Sequence, residues 1–229
     1  MENSLALKYT SSEINEDKKI INLSYKPTPS DRELEWDRSK ILMSKTDHKG
    51  NILYANEAFI DVCGYDDFEL MDKPHNILRH PDMPKVIFKL MWEDLQKNNG
   101  SHIIIKNMSK TGRFFWVAND VKTNIDKNGT ITYTGQQSAV SNDVIKNKIE
   151  PLYKKLIQIE NASGVQSSEN YLVGYLEEQR KTLMEFIDDL TYNIDNPNQV
   201  TNKTETSKKK GLFSGMFSND NKEAKNKKN

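Results

Sequence analysis

The chain has 229 residues, enough for one domain with a smaller module beside it, and enough to bury a core without disulfide or metal staples. Lysine plus arginine and aspartate plus glutamate both number 33, so no chain-wide nucleic-acid footprint is present. The single cysteine, Cys63, excludes an internal disulfide and a CxxC site.

Hydrophobic residues make up 35% of the chain and mean hydropathy is -0.79, which predicts a solvated tail or linker beside the folded part. No run approaches the ~18 apolar residues of a membrane span. Met1-Glu2-Asn3-Ser4 has neither a basic start nor an apolar h-region. A cytoplasmic soluble protein is expected. The charge balance is uneven along the chain, because residues 201–229 hold eight lysines against three acidic residues.

Residues 1–38 are polar and irregular, with Pro27 and Pro29 among hydroxyl residues, and are expected to be flexible. Ile41 to Thr46 reads as a strand, Asp47-His48-Lys49-Gly50 as a turn with Gly50 free to take positive φ, and Asn51 to Tyr54 as a second strand. Asn56 is placed to cap a short helix with Ala58, Phe59 and Val62 on its apolar face and Gly64 at its end. Phe68, Leu70 and Met71 mark another helical turn. Three prolines between Lys73 and Pro84 forbid a long helix and imply an excursion of short pieces. From Met83 to Lys97 the apolar residues Val86, Leu90, Met91 and Leu95 recur at helical spacing, with Asp82 or Met83 as cap.

The period then changes. His102–Met108, Arg113–Ile125 and Thr130–Val140 are strand candidates joined by Lys110-Thr111-Gly112 and Asp126-Lys127-Asn128-Gly129, both turn signals. Two strands, short helices, a longer helix and a three-stranded meander make an α+β plan with helices on an antiparallel sheet. After Asn142 the period is helical again: Ile145, Ile149, Leu152, Leu156 and Ile159 form one stripe, with a kink or restart expected at Pro151. Tyr171 to Leu190 reads as a second amphipathic helix, giving a helical hairpin over 143–195 that either caps its own domain or pairs with a second copy or partner. Residues 196–229 form a basic tail expected to be disordered. Its Lys208-Lys209-Lys210 beside Leu212, Phe213, Met216 and Phe217 also suits weak contact with an anionic membrane surface.

No phosphate loop, GxSxG elbow or HExxH motif is present. His75 and His80, roughly 140° apart on an ideal helix, would not share a face, so no metal site is expected. No catalytic constellation assembles, and the chain is not expected to be an enzyme.

The run Lys73-Pro74-His75-Asn76-Ile77-Leu78-Arg79-His80-Pro81-Asp82-Met83-Pro84-Lys85 resembles the PAS domains of bacterial aerotaxis receptors and the cytoplasmic PAS proteins of split energy-taxis receptor pairs. Ser44-Lys45-Thr46-Asp47, Tyr54-Ala55-Asn56-Glu57-Ala58-Phe59, Gly64-Tyr65, Phe88, Trp92, Lys106-Asn107, Gly112 and Phe115-Trp116-Val117-Ala118-Asn119 follow the family's order. The resemblance covers about residues 40–140 and implies a PAS fold over 39–142, a five-stranded antiparallel sheet with short helices on one face.

It further implies a redox or energy sensor holding FAD non-covalently. Residues corresponding to the family's flavin contacts are Asn56, Arg79, His80, Asp82 and Asn107, with Trp92 and Trp116 able to pack near a flat ligand. Ser101 stands where many aerotaxis PAS domains carry a tryptophan. That departure keeps open a haem-binding sensor, with His75, His80 or His102 as axial ligand, and a cofactor-free adaptor. Without a membrane span or output domain, the chain is expected to signal in trans to a membrane chemoreceptor or another transducer, with a homodimer as one option.

Overall fold

The computed structural model of the chain describes residues 27–97 and 100–192. The expected disordered tail, 196–229, and the first part of the N-terminal segment lie outside the described residues.

Strand β1 (Leu42–Asp47) and strand β2 (Ile52–Ala55) form the first hairpin, closed by Gly50 at φ 85. Helix α1 (Glu57–Cys63) follows. Asn56 caps it by accepting from Phe59 N–H, and Gly64 ends it in the left-handed region. Helix α2 (Asp67–Leu70) carries a capping box between Asp66 and Glu69. The proline-rich excursion forms one 3-10 turn, His75–Leu78, before helix α3 (Lys85–Gln96). The residue before α3 is Pro84, not Asp82 or Met83, so no side chain of this segment caps the helix.

Strands β3 (Ser101–Met108), β4 (Phe114–Ile125) and β5 (Ile131–Ala139) complete a five-stranded sheet in the order β2-β1-β5-β4-β3, antiparallel throughout. Register fixes its two faces. Ile105 and Asn107 of β3 share one face with Val117, Asn119 and Val121 of β4, Tyr133 and Gly135 of β5, and Ser44 and Thr46 of β1. Helix α3 covers this face. The alternate residues Ile104, Lys106, Trp116 and Ala118 lie on the other.

That second face is covered at β3 and β4 by the C-terminal helices, which is why β3 is buried along nearly its whole length. Helical structure runs unbroken from α4 (Asn142–Val144) through a π turn (Ile145–Ile149) into α5 (Glu150–Ser163). The restart expected at Pro151 takes the form of a π turn, after which the α-helix begins again at Glu150 with Pro151 in its first turn. After Gly164 the second stretch is two helices, α6 (Val165–Glu178) and α7 (Leu183–Thr191), where one was expected. Arg180 takes φ 56, and Thr182 with Glu185 starts α7 as a capping box. Tyr153 Oη donates to Ile104 O at 2.6 Å, and its ring lies 6.1 Å from Trp116.

The end of the segment expected to be flexible pairs with the β3–β4 hairpin. Ser30 N–H donates to Gly112 O, and Leu34 N–H to Phe114 O. A Cβ at Gly112, φ 80, would collide with Thr28 O, so the close backbone approach needs glycine here.

Candidate functional site

Between the sheet and α3 lies a cavity of about 350 Å³. Its floor is the inward face of the sheet: Ser44 and Thr46, Ile105 and Asn107, Asn119 and Val121, Tyr133 and Gly135. Its roof is α3, through Phe88, Met91, Trp92 and Leu95, and one end is closed by Pro74, His75, Asn76 and Arg79. The size and the mixture of apolar walls with a few polar groups are those of a small-molecule site.

The floor has room because Gly135 lacks a side chain. A Cβ there would stand 3.0 Å from Asn119 Oδ1 and 3.6 Å from Ser44 Oγ. Asn119 is buried, and its Oδ1 has no hydrogen-bond partner among the described residues. A buried carbonyl left in that state costs about 1–3 kcal/mol, which marks it as an acceptor waiting for a donor. Beside it Asn107 Nδ2 donates to Gln137 Oε1 at a long 3.4 Å, and Gln137 Nε2 is also buried without a partner. The three side-chain amides share the inward face of the sheet; Asn119 and Gln137 have unpartnered atoms, and Asn107 and Asn119 line the cavity. Trp92 is held edge-on against Tyr133, centroids 5.5 Å apart.

Charge enters at the end of the cavity. Arg79 Nη2 donates to Met83 O at 3.1 Å, and its guanidinium lies 4.5 Å from the Phe88 ring centroid. Burial lowers the Arg79 pKa, and the nearby Glu160 charge opposes that shift. His75 bonds Ser44 Oγ through Nε2 at 3.0 Å and packs edge-on against Phe59, while burial pushes its pKa down to about 4. It is therefore neutral near pH 7.

Of the residues the sequence suggested for a flavin, the cavity brings together Arg79, Asn107 and Trp92. Asn56 is elsewhere. Its Oδ1 accepts from Met43 N–H and Phe59 N–H, and its Nδ2 donates to Ile41 O, so the whole amide ties β1 to α1. His80, adjacent to Arg79, turns to the opposite side and packs against Phe114. Burial and the Lys106 charge lower the His80 pKa, against the pull of Asp82. Asp82 bonds Lys106 Nζ at 2.7 Å; burial acts to raise its pKa, but that bond and charge carry it below the ordinary carboxylate value. Trp116 lies under Tyr153 on the far face of the sheet.

His102, one of the three histidines considered for haem, is bonded to Asp188 of α7 at 2.6 Å; among those three, His75 alone lines the cavity. Ser101, at the family's tryptophan position, is buried at the start of β3 and does not line it. The aromatic wall comes from Phe88, Trp92 and Tyr133 instead.

Ser44, Asn119, Tyr133 and Gly135 were not among the expected contacts, and His75 was considered only as a haem ligand. Strand alternation carries the signal for most of them: once Asn107 faces inward, register turns Asn119, Gly135 and Ser44 the same way. Among the described residues no group of three His, Cys, Asp or Glu side chains could hold a metal ion. No helix among them is long and apolar enough to cross a membrane.

A family-model comparison agrees with this architecture. Residues 52–135 match the family model described as PAS fold. The chain is 38% identical over 115 residues to the aerotaxis receptor of Escherichia coli, covering 50% of this chain and 22% of that receptor. It is 28% identical over 97 residues to the bacterioopsin transcriptional activator of Halobacterium salinarum, covering 42% of this chain and 14% of that protein. A solved light-oxygen-voltage domain superposes with a TM-score of 0.45 at 21% identity, covering 51% of this chain and 90% of that one. The chain spans less than a quarter of the length of these two curated relatives. The α+β unit has the PAS fold, with residues 52–135 matching that family model, and is similar in sequence to part of the aerotaxis receptor.

Proposed function

We propose that this PAS domain is a cytoplasmic redox sensor that holds a flavin, FAD by the family resemblance, non-covalently between the sheet and α3. The proposed output is a signal in trans to a chemoreceptor or another transducer. The observation that carries the reading is the buried, unpartnered Asn119 Oδ1, set in the cavity floor with Asn107.

These amides fit the polar edge of a flat heterocycle, which presents donors and acceptors together in one plane. Phe88, Trp92 and Tyr133 supply apolar surface for its faces. Gly135 leaves the floor open where a side chain would fill it. Arg79 and Lys49, both at the cavity wall, put cations where a diphosphate would need them. The neutral His75 adds a hydrogen-bonding ring without a buried charge.

When bound, a flavin supplies a ring whose charge and hydrogen-bonding pattern change on reduction. The residues of this chain hold it, orient its polar edge and exclude water from it. A change at Asn119 or Asn107 acts directly on β4 and β3, and a change at Phe88 or Trp92 acts on α3.

Titration of purified full chain with FAD, followed by quenching of flavin fluorescence, tests the reading. Arg79→Ala is expected to weaken binding about 10- to 100-fold through loss of a charge-assisted contact, with unchanged circular dichroism. Asn56→Ala is expected to bind FAD like the wild type. Wild-type affinity in Arg79→Ala would overturn the assignment.

A further inference from the structure

Among the described elements, α3 faces the cavity on one side and is bonded to the C-terminal helices at its start. Pro84 has no side-chain group with which to cap it. Instead Lys85 N–H donates to Glu160 Oε2 at 3.0 Å and Val86 N–H to Glu160 Oε1 at 2.9 Å. Glu160 belongs to α5. Its carboxylate sits at the positive end of α3 and satisfies two donors that the helix cannot satisfy itself. One turn on, Lys89 Nζ donates to Glu169 Oε1 of α6 at 2.8 Å, and the Glu169 side chain is only 15% exposed. Arg79, which leads into α3 and lines the cavity, lies within the electrostatic reach of the same Glu160.

We infer that the Glu160 carboxylate is the contact through which the state of the cavity passes to the C-terminal helices. The inference rests on the cavity being the sensory ligand site. A group packed against Phe88, Met91 and Trp92 displaces α3 as a rigid body, because a helix transmits movement along its axis. Its first N–H groups then move against a carboxylate fixed to α5. Two short parallel bonds tolerate little change in direction, so the cap is either made or lost.

Two further anchors of these helices act elsewhere, whereas the Lys89–Glu169 pair also reaches α3. Tyr153 on Ile104 O and Asp188 on His102 grip the opposite face of the sheet, away from the cavity. They hold the helices in place in both states, and the Glu160 cap distinguishes the states. By linkage, whatever binds α5 and α6 also acts back on the cavity.

A double-mutant cycle on the full chain tests this with no ligand added. Met91→Ala alters the α3 wall of the cavity, and Glu160→Ala removes the cap. The readout is amide hydrogen exchange in residues 165–178. Met91→Ala is expected to change exchange there at least about fivefold when Glu160 is present and less than about twofold in the Glu160→Ala background, a coupling of the size typical of linked sites. Equal changes in both backgrounds, including none in either, would overturn the inference. Should Met91→Ala not fold, Phe88→Leu alters the same wall more gently.

Addition of FAD to the wild type separates the two levels. A coupled cycle in a chain that does not bind FAD removes the flavin and keeps the Glu160 contact. Binding of FAD with an uncoupled cycle does the reverse.

Discussion

His75 is the residue whose chemistry depends most on where the chain folds it. Its imidazole is desolvated in the cavity wall, against Phe59 and Ser44, and its pKa falls to about 4. In the unfolded chain the ring takes up a proton near pH 6.5. Between those values the unfolded state binds a proton that the folded state refuses, so stability falls as pH drops through this window. The loss from this ring between pH 7 and pH 4 is expected to reach roughly 3 kcal/mol at most. Urea unfolding at several pH values checks it: His75→Gln should lose less stability than the wild type over that range, and parallel curves would contradict the assignment.

Residue types alone did not separate neighbours such as Arg79 and His80. They are adjacent in a turn, yet one lines the cavity and the other packs against Phe114 on the far side. Side-chain direction in an irregular segment follows from its tertiary contacts, which composition does not encode. Asn119, by contrast, was within reach of the sequence. It is one of several polar residues in an otherwise apolar strand, and alternation from Asn107 through the register puts it on the same face.

At the scale of elements, local signals were strong where a cap or turn decides the outcome. Asn56 and Gly64 bound α1 as the sequence indicates, and the Gly50 and Gly129 turns join the strands expected. The Asn56 amide makes three backbone bonds, one of them to the helix it caps and two to the neighbourhood of β1. Asn56→Ala is therefore expected to lower stability by roughly 2 kcal/mol, at the upper end for a lost cap. A loss below about 0.5 kcal/mol in denaturant unfolding would show that these bonds are replaced by water.

Signals failed where long-range packing outweighs local preference. Pro151 reads as a kink or restart, and the α-helix does begin again at Glu150, but buried Ile145, Ile149, Leu152 and Leu156 carry the stripe across it through a π turn that no local pattern specifies. Tyr171 to Leu190 reads as one stripe, yet Arg180 takes a left-handed conformation and α7 turns onto β3, where Asp188 meets His102. The start of α3 depends on a carboxylate supplied from α5, and no local pattern near Pro84 could reveal it.

At the scale of the molecule, the α+β plan and the sheet were legible because period, turn chemistry and a distinctive proline-rich run point to the same fold. The cavity was not, since it is the space left when the sheet's register, the missing side chain at Gly135 and the path of α3 combine. The C-terminal helices tie the two sides of this unit together. They cover the outer face of β3 and β4 and bond the start of α3, so both sides of the sensor domain meet the same helical unit. That arrangement suits a module that reads one cavity and presents the result on a helical surface to another protein.

The visible absorption spectrum of the purified full chain, with extraction and identification of any chromophore, tests the central claim most directly. The account predicts the two-band spectrum of a bound flavin and release of that flavin on denaturation. A colourless protein that takes up no FAD on reconstitution would contradict it and favour a cofactor-free adaptor acting through its C-terminal helices.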